Sequence, residues 1–217
     1  MKNNWHGKRL LVEGDEDKRV IPYLIEANGI PWGETKKKAI VEIESYDGIE
    51  NMLSHREITA QLKTSGLTAL GLIVDADDNP TARWQQVRNV CLPRISNLPE
   101  NLPEEGLIHQ TNFGVQFGVW MMPDNKTSGM LETFLAYMIP SGGDRLWNYA
   151  DEVTTEAKNL GATFKENHKD KAKIHSWLSW QNPPGRQLHN AIMERILDPQ
   201  HPKAEIFINW FKTLYNL

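Results

Sequence analysis

The residues best suited to chemistry in this 217-residue chain are carboxylates that follow short apolar segments. Aspartate and glutamate supply the oxygen ligands that Mg²⁺ and Mn²⁺ prefer, and a glutamate can also act as a general acid or base. Such residues come after the apolar segments 10–12, 68–74 and 115–122. The candidate metal ligands are Glu13, Asp17, Asp75, Asp77, Asp124 and Glu132.

The apolar segments are typical of buried strands, and helical patterns alternate with them in the first half of the chain. The predicted strands are 10–12, 39–44, 68–74, 107–111 and 115–122, and the predicted helices are 17–27, 49–63, 81–94 and 130–138. Residues 30–38 are a predicted loop that carries three lysines. The β-α-β-α-β-α order predicts an α/β fold with a mostly parallel sheet, and the last two strands are expected to form a hairpin.

The segment 140–143 resembles a boundary, because only helical patterns follow it. These predicted helices are 144–160, 169–180, 186–197 and 205–215. They are amphipathic, so we expect them to cover the sheet instead of building a core of their own. The predicted organisation is an α/β domain at 8–139 and an all-helical extension at 140–217 packed on it.

Parallel strands bring their carboxyl ends to one edge of a sheet, where ligands gather in open α/β folds. The acids at those ends are therefore expected to form one cluster, in which Asp75 and Asp77, as alternate residues of an extended segment, share a cation. Asp15 is the predicted N-cap of the first helix. The alternative interpretation is that these acids only cap helices and lie in surface turns, where aspartate is common.

The sequence also resembles a known family. Glu13-Gly14 with Asp17 four residues after the glutamate, then Asp75 and Asp77 after an apolar strand, resembles a Toprim domain. That is the Mg²⁺-binding fold shared by topoisomerases, primases and related nucleases. The resemblance covers about residues 8–135, and segment 122–134 resembles an uncharacterised group of bacterial Toprim-related proteins. The resemblance implies that Glu13 is a general acid/base that also holds metal, and that the two aspartates hold metal.

Nucleases of the overcoming-lysogenisation-defect class add further acids and a lysine downstream, and Asp124, Glu132 and Lys171 are the residues that would match them. A lysine there would stabilise the charge that develops on a phosphate in the transition state. Lys169 and Lys173 compete for this role, and a solvated helix start explains any one of the three lysines equally well.

The differences from the family argue against two of its activities, those of a topoisomerase and of a primase. The sequence has no segment for the strand-passage domain of a topoisomerase or for the polymerase and zinc modules of a primase. It holds no G-x-x-x-x-G-K-[ST] motif, so any ATPase is expected to be a separate partner.

The composition limits the remaining function classes. A net charge of −4 and a pI of about 6.0 argue against a general electrostatic grip on nucleic acid, although bound divalent cations would reverse the local charge. The single cysteine, Cys91, excludes a disulfide framework and is predicted to be buried.

The sequence shows no signal peptide and no apolar run of membrane-spanning length, so we expect a cytoplasmic protein without a membrane partner. Four aromatic residues at helical spacing are expected to pack in the core: Trp177, Trp180, Trp210 and Phe211.

Two hypotheses of function follow. The first is a nuclease that uses one or two Mg²⁺ or Mn²⁺ ions to hydrolyse DNA or RNA, with a separate ATPase in phage defence. The second is a non-catalytic module that holds a phosphorylated ligand through Mg²⁺ or regulates an ATPase. The complete acid set favours the first hypothesis and the acidic pI favours the second. Both hypotheses are compatible with a homo-oligomer.

Overall fold

A computed structural model describes residues 7–35, 38–141 and 143–217, and it confirms the α/β class. The strands are β1 (Lys8–Val12), β2 (Glu42–Ser45), β3 (Ala69–Asp75), β4 (Leu107–Gln110) and β5 (Gln116–Met122). The helices are α1 (Asp15–Ala27), α2 (Ile49–Met52), α3 (His55–Leu62), α4 (Pro80–Cys91), α5 (Leu131–Ala136), α6 (Asp144–Asn159), α7 (Lys169–Leu178), α8 (Leu188–Met193) and α9 (Pro202–Tyr215). Lys36 and Lys37 of the predicted loop, and Gly142 of the predicted boundary, lie outside the described residues.

The five strands form one sheet in the order β2-β1-β3-β5-β4. Strand β1 runs parallel to β2 and β3, and β3 runs parallel to β5. Strand β4 is antiparallel to β5, which confirms the predicted hairpin. The carboxyl ends of β1, β3 and β5 therefore lie side by side at one edge of the sheet.

Helices cover both faces of the sheet, as parallel strands require. Leu10 and Val12 of β1 point to the face that α1, α5 and the later helices cover. Leu11 between them points to the opposite face, which packs against α2, α3 and α4. The helices that follow residue 143 contribute buried side chains to the first of these cores, so they pack on the sheet.

Helix α9 lies close against the sheet because two strand positions are glycine. A Cβ atom at Gly71 would collide with the hydroxyl of Tyr215, and one at Gly118 would lie 2.7 Å from Leu214 Cδ2. The space left by the missing side chains lets the Tyr215 hydroxyl donate a hydrogen bond of 2.7 Å to the carbonyl of Arg9. The carboxyl-terminal helix is thus part of the main core.

Three sequence-based predictions about local structure were wrong. The N-cap of α1 is Gly14, and the Asp15 carboxylate instead accepts a hydrogen bond from the Ser45 hydroxyl at 2.6 Å. The predicted helix 49–63 is two helices, because α2 ends at Met52 with Leu53 as its C-cap and α3 begins after Ser54, its N-cap. The second strand begins at Glu42, three residues later than predicted.

Other predictions about packing are confirmed with one exception. Cys91, Trp177, Trp210 and Phe211 are buried as expected. The expectation that Trp180 packs in the core was wrong: its side chain is exposed and lies against Tyr149 on the surface. Among the residues that the structure describes, no helix is long and apolar enough to cross a membrane.

Candidate metal centre

The connection between β1 and α1 positions the first two acids. Glu13 follows β1, and its Oε1 accepts a hydrogen bond of 2.8 Å from the backbone amide of Asp75 at the end of β3. The amide of Gly14 donates to Asp17 Oδ2 at 3.2 Å, which turns the Asp17 side chain back toward the strand ends. Asp17 is only 7% exposed, so this helix-capping carboxylate is not a solvated surface charge.

Two more acids, Asp75 at the end of β3 and Glu132 in α5, lie at the start of α5. Asp75 Oδ1 accepts a hydrogen bond of 3.2 Å from the amide of Leu131, the first residue of α5. The next residue, Glu132, is 3% exposed, and its Oε1 lies 3.0 Å from Lys171 Nζ at the start of α7. The helical extension therefore places a cation beside the acids of the sheet edge.

Glu13, Asp17, Asp75 and Glu132 line one cavity of about 700 Å³. Seven carboxylates, two lysines and one histidine are among its lining residues in the described part of the chain. The other lining residues with ionisable side chains are Asp15, Glu16, Asp47, Lys165, His168 and Lys171. The cavity thus has a large excess of negative charge, with its cations on the side of α7 and the turn before it.

Burial and mutual repulsion raise the pKa values of these acids. The pKa of Asp17 is raised from 3.8 to about 7, first by burial and then by the charges of Glu13 and Glu132. Burial and then the charges of Asp17 and Glu13 raise the pKa of Asp75 well above its usual value. The pKa of Glu13 is also raised by burial, although the Asp75 amide and Arg83 act in the opposite direction. Crowded acids of this kind require protons or bound cations as partners.

The donor chemistry of the cavity fits Mg²⁺ or Mn²⁺, because its acids offer only oxygen ligands and lack enough cations to balance them. Within residues 7–35, 38–141 and 143–217, however, no three His, Cys, Asp or Glu side chains are arranged so that they could hold one ion together. Binding of a metal ion would therefore require these carboxylates to rotate toward each other.

Asp77 does not share the cavity of Asp75. Strand β3 ends at Asp75, and Asp77 has a left-handed backbone with φ of 50°, so the expected alternation of an extended segment fails. Its carboxylate forms an ion pair with Arg83 of α4 and lines two neighbouring depressions instead. The metal-ligand role expected for Asp77 stays a prediction that needs this ion pair to open.

Asp124 lies in a separate polar network. Its Oδ1 accepts hydrogen bonds from the amide and hydroxyl of Thr127, and its Oδ2 accepts from Tyr137 and from Lys203 of α9. Burial acts to raise the pKa of Asp124, but these hydrogen bonds outweigh it and lower the pKa. The structure does not bring Asp124 to the acid cluster, and these contacts give it a role in tying α9 to the turn after β5.

The three competing lysines have different surroundings. Lys171 lines the cavity and pairs with the buried Glu132. Lys169 and Lys173 both pair with the partly exposed Asp151 of α6. Partial burial acts to lower the pKa of Lys171, but the charge of Glu132 outweighs it and raises the pKa, so the amine stays protonated. Of the three lysines, Lys171 is the one that lines the acid-rich cavity.

Sequence reasoning missed Lys165 and His168 on the cavity wall and Arg83 beside Asp77. No spacing rule connects these residues to the acids, because tertiary packing brings their elements together. The only local signal was the basic segment that opens α7, to which His168 belongs.

Comparisons with known proteins place the chain in a family. A family model with the description "Protein of unknown function (DUF3226)" matches residues 7–216. The chain belongs to the DUF3226 family. No curated protein matches it. One solved structure, the C-terminal region of the Xanthomonas campestris pv. campestris OLD protein, is 15% identical, with 93% of this chain and 82% of that chain covered and a TM-score of 0.39. In this DUF3226 protein, the acid-lined cavity is the feature that offers oxygen ligands to a metal ion.

Proposed function

We propose that this DUF3226 protein is a Toprim-related, metal-dependent phosphodiesterase that hydrolyses nucleic acid. The observation that carries the proposal is one cavity in which four buried or half-buried acids, one just after β1 and the others in α1, β3 and α5, lie near a lysine of α7. Surface caps and turns do not explain this arrangement, because Asp17 and Glu132 are almost fully buried and the acids raise one another's pKa values.

The acids would hold one or two Mg²⁺ or Mn²⁺ ions, with Glu13, Asp17, Asp75 and Glu132 as the proposed ligands. Such ions would polarise the scissile phosphate and lower the pKa of an attacking water. Asp77 would join this set only after it leaves Arg83. Asp124 is left out of the proposed set, because its carboxylate is already occupied by Thr127, Tyr137 and Lys203.

Two side chains are suited to the chemical steps. Burial raises the pKa of Glu13 and the Asp75 amide holds its carboxylate in place, and both properties suit a group that carries a proton to or from a reacting oxygen. Lys171 presents a protonated amine to the cavity and would stabilise negative charge on the phosphate or on the leaving oxygen. Both roles are proposals that rest on position and charge.

The excess of carboxylates also suggests how a protein of pI about 6.0 would bind nucleic acid, namely through divalent cations held by these acids. The acids would repel a phosphodiester until divalent cations reverse the sign of the local charge. Lys165, His168 and Lys171 form the side of the cavity from which a phosphate backbone would approach. We propose DNA or RNA as the substrate, in the cytoplasm, with a separate ATPase subunit as the partner to be added to the assay.

The test compares cleavage with metal binding in matched variants. Glu13→Gln and Asp75→Asn remove a charge at constant size, and each should reduce Mn²⁺-dependent cleavage by about 10²- to 10⁴-fold. The rise in melting temperature on addition of Mn²⁺ should also disappear in these variants, because ligand binding to the native state produces that rise. Asp124→Asn is the control with the same change in charge, and it should retain both cleavage and the Mn²⁺-induced rise.

Two results would contradict the proposal. Cleavage that survives Asp75→Asn would place the activity at another site or in a contaminating enzyme. A Mn²⁺-induced rise in melting temperature that depends on Glu13 and Asp75, without cleavage of any DNA or RNA substrate and with an ATPase added, would identify a non-catalytic module instead.

A further inference from the structure

Asp77 and Arg83 form an ion pair and both line a groove of about 400 Å³, separate from the acid-lined cavity. The Arg83 side chain is only 10% exposed, so its guanidinium lies largely out of contact with solvent. Its Nη2 donates to Asp77 Oδ2, and its Nη1 donates to Gln86 Oε1 at 2.8 Å. The contact to Gln86, one turn further along α4, holds the guanidinium in this place.

The backbone around Asp77 is held on both sides. The amide of Asp77 donates to the carbonyl of Gly129 at 3.0 Å, and the amide of Gly129 donates to the carbonyl of Asp77 at 2.8 Å. This pair of hydrogen bonds fixes the turn after β3 to the segment that precedes α5. The main chain at Asp77 is therefore held in place, so a change of partner by the carboxylate would have to come from side-chain rotation.

The Arg83 guanidinium places a positive charge directly against the Asp77 carboxylate. The effect extends to the cavity, because the charges of Arg83 and Asp77 both act on Glu13. A divalent cation that approaches Asp77 therefore meets a resident positive charge that already satisfies this carboxylate.

We infer that Arg83 is the resident counterion of Asp77 and that a divalent cation must displace it before Asp77 can become a ligand. This inference rests on the proposed function, in which the acids hold Mg²⁺ or Mn²⁺. It adds an order of events, in which the acids of the main cavity take up an ion first and Asp77 contributes only after its exchange with Arg83. Arg83 is thus a positioning residue that weakens metal binding in the resting protein.

The experiment is a Mn²⁺ titration by calorimetry, with the bound ions counted by electron paramagnetic resonance. The Mn²⁺ ion that the wild type binds most weakly should be bound about tenfold more tightly by Arg83→Gln, within the 5- to 150-fold range usual for coupled sites. Arg83→Lys keeps the positive charge but loses the planar guanidinium, so its Mn²⁺ affinity should lie between those of the wild type and Arg83→Gln. Arg186→Gln, which removes an arginine from an ion pair with Glu194 in the helical extension, is the matched control and should bind as the wild type does.

A double-mutant cycle separates competition at Asp77 from a general effect of charge. In Asp77→Asn protein, position 77 has no carboxylate for Arg83 and the ion to compete for, so Arg83→Gln should raise Mn²⁺ affinity by much less than it does in the wild-type background. The charge of Arg83 on Glu13 is the same in both backgrounds, so the difference between the two gains measures the competition at Asp77. Melting curves without metal establish that each variant is folded. A gain of equal size in both backgrounds would overturn the inference, because the guanidinium would then act on the ions through its charge alone.

The remaining outcomes distinguish this inference from the proposed function. If Arg83→Gln binds Mn²⁺ as tightly as the wild type or more weakly, while Asp75→Asn removes binding, the metal centre stands and Arg83 is no competitor. If the wild type binds no ion but Arg83→Gln does, the proposed order of events is overturned, because the acids of the main cavity then do not take up an ion before Arg83 is displaced. If neither protein binds Mn²⁺, both the proposed function and the inference are overturned.

Discussion

Replacement of Asp17 by asparagine tests whether the acids are crowded, independently of any activity. Asp17→Asn keeps an oxygen that can accept the hydrogen bond from the Gly14 amide, so the start of α1 should stay intact. The substitution removes a buried negative charge that lies near the charges of Glu13 and Glu132. We therefore expect Asp17→Asn to stabilise the metal-free protein at pH 8.

The size of the effect follows from the pKa of Asp17. A carboxyl whose pKa is 3.8 in the unfolded chain and about 7 in the folded protein binds its proton more tightly in the folded state. Between pH 4 and pH 7 the folded protein therefore holds more protons than the unfolded chain, and its stability falls as the pH rises. The full difference corresponds to about 4 kcal/mol, so a gain of about 2–4 kcal/mol is expected at pH 8 and almost none near pH 4.

The assay is urea unfolding with a chelator present, at several values between pH 4 and pH 8. Asp15→Asn is the matched control, because Asp15 lies in the same helical turn and the change of charge is the same. The Asp15 carboxylate is exposed, and its hydrogen bond from Ser45 lowers its pKa, so this variant should show no gain at pH 8. An Asp17→Asn protein that is no more stable than the wild type at pH 8, or whose gain is equal at every pH, would refute the reasoning.

Two further predictions concern the packing of the helices. Gly71→Ala should lower the free energy of unfolding by about 1–3 kcal/mol, since the added methyl group meets the hydroxyl of the fully buried Tyr215, and an unchanged urea midpoint would contradict this close approach. Lys171→Gln should destabilise the metal-free protein at pH 8 by about 1–2 kcal/mol, because the buried Glu132 loses its partner. Lys169→Gln breaks a pair with the partly exposed Asp151 and should cost less than about 0.5 kcal/mol, so equal thermal shifts in the two lysine variants would refute the distinction.

The architecture was predictable because it depends on local patterns. The nearly continuous apolar run of β3 and the alternation of strands with amphipathic helices required a parallel sheet covered on both faces. Because the carboxyl ends of parallel strands meet at one edge, Glu13 and Asp75 were expected at adjacent strand ends, and the hydrogen bond between the Asp75 amide and Glu13 shows how close they lie. Helix boundaries were less predictable, as Gly14 shows by taking the N-cap position expected for Asp15.

The directions of the remaining acids depended on contacts between distant segments. The position of Asp77 depends on a left-handed turn and on an arginine that reaches back from α4. Asp124 is held by Lys203, which is 79 positions away in the sequence. The choice of Lys171 over Lys169 required the position of α6, whose Asp151 binds the other two lysines. Spacing along the chain contains no information about such partners.

The close contact of α9 with the sheet also constrains how the protein is made. Tyr215 donates its hydrogen bond to Arg9, 206 positions earlier, and the buried aromatic residues of α9 cover the face to which Leu10 belongs. During translation, β1 and β3 leave the ribosome long before the helix that shields them. The nascent chain must therefore carry an uncovered apolar face until residue 215 emerges, and the docking of α9 is the step that protects this face from aggregation.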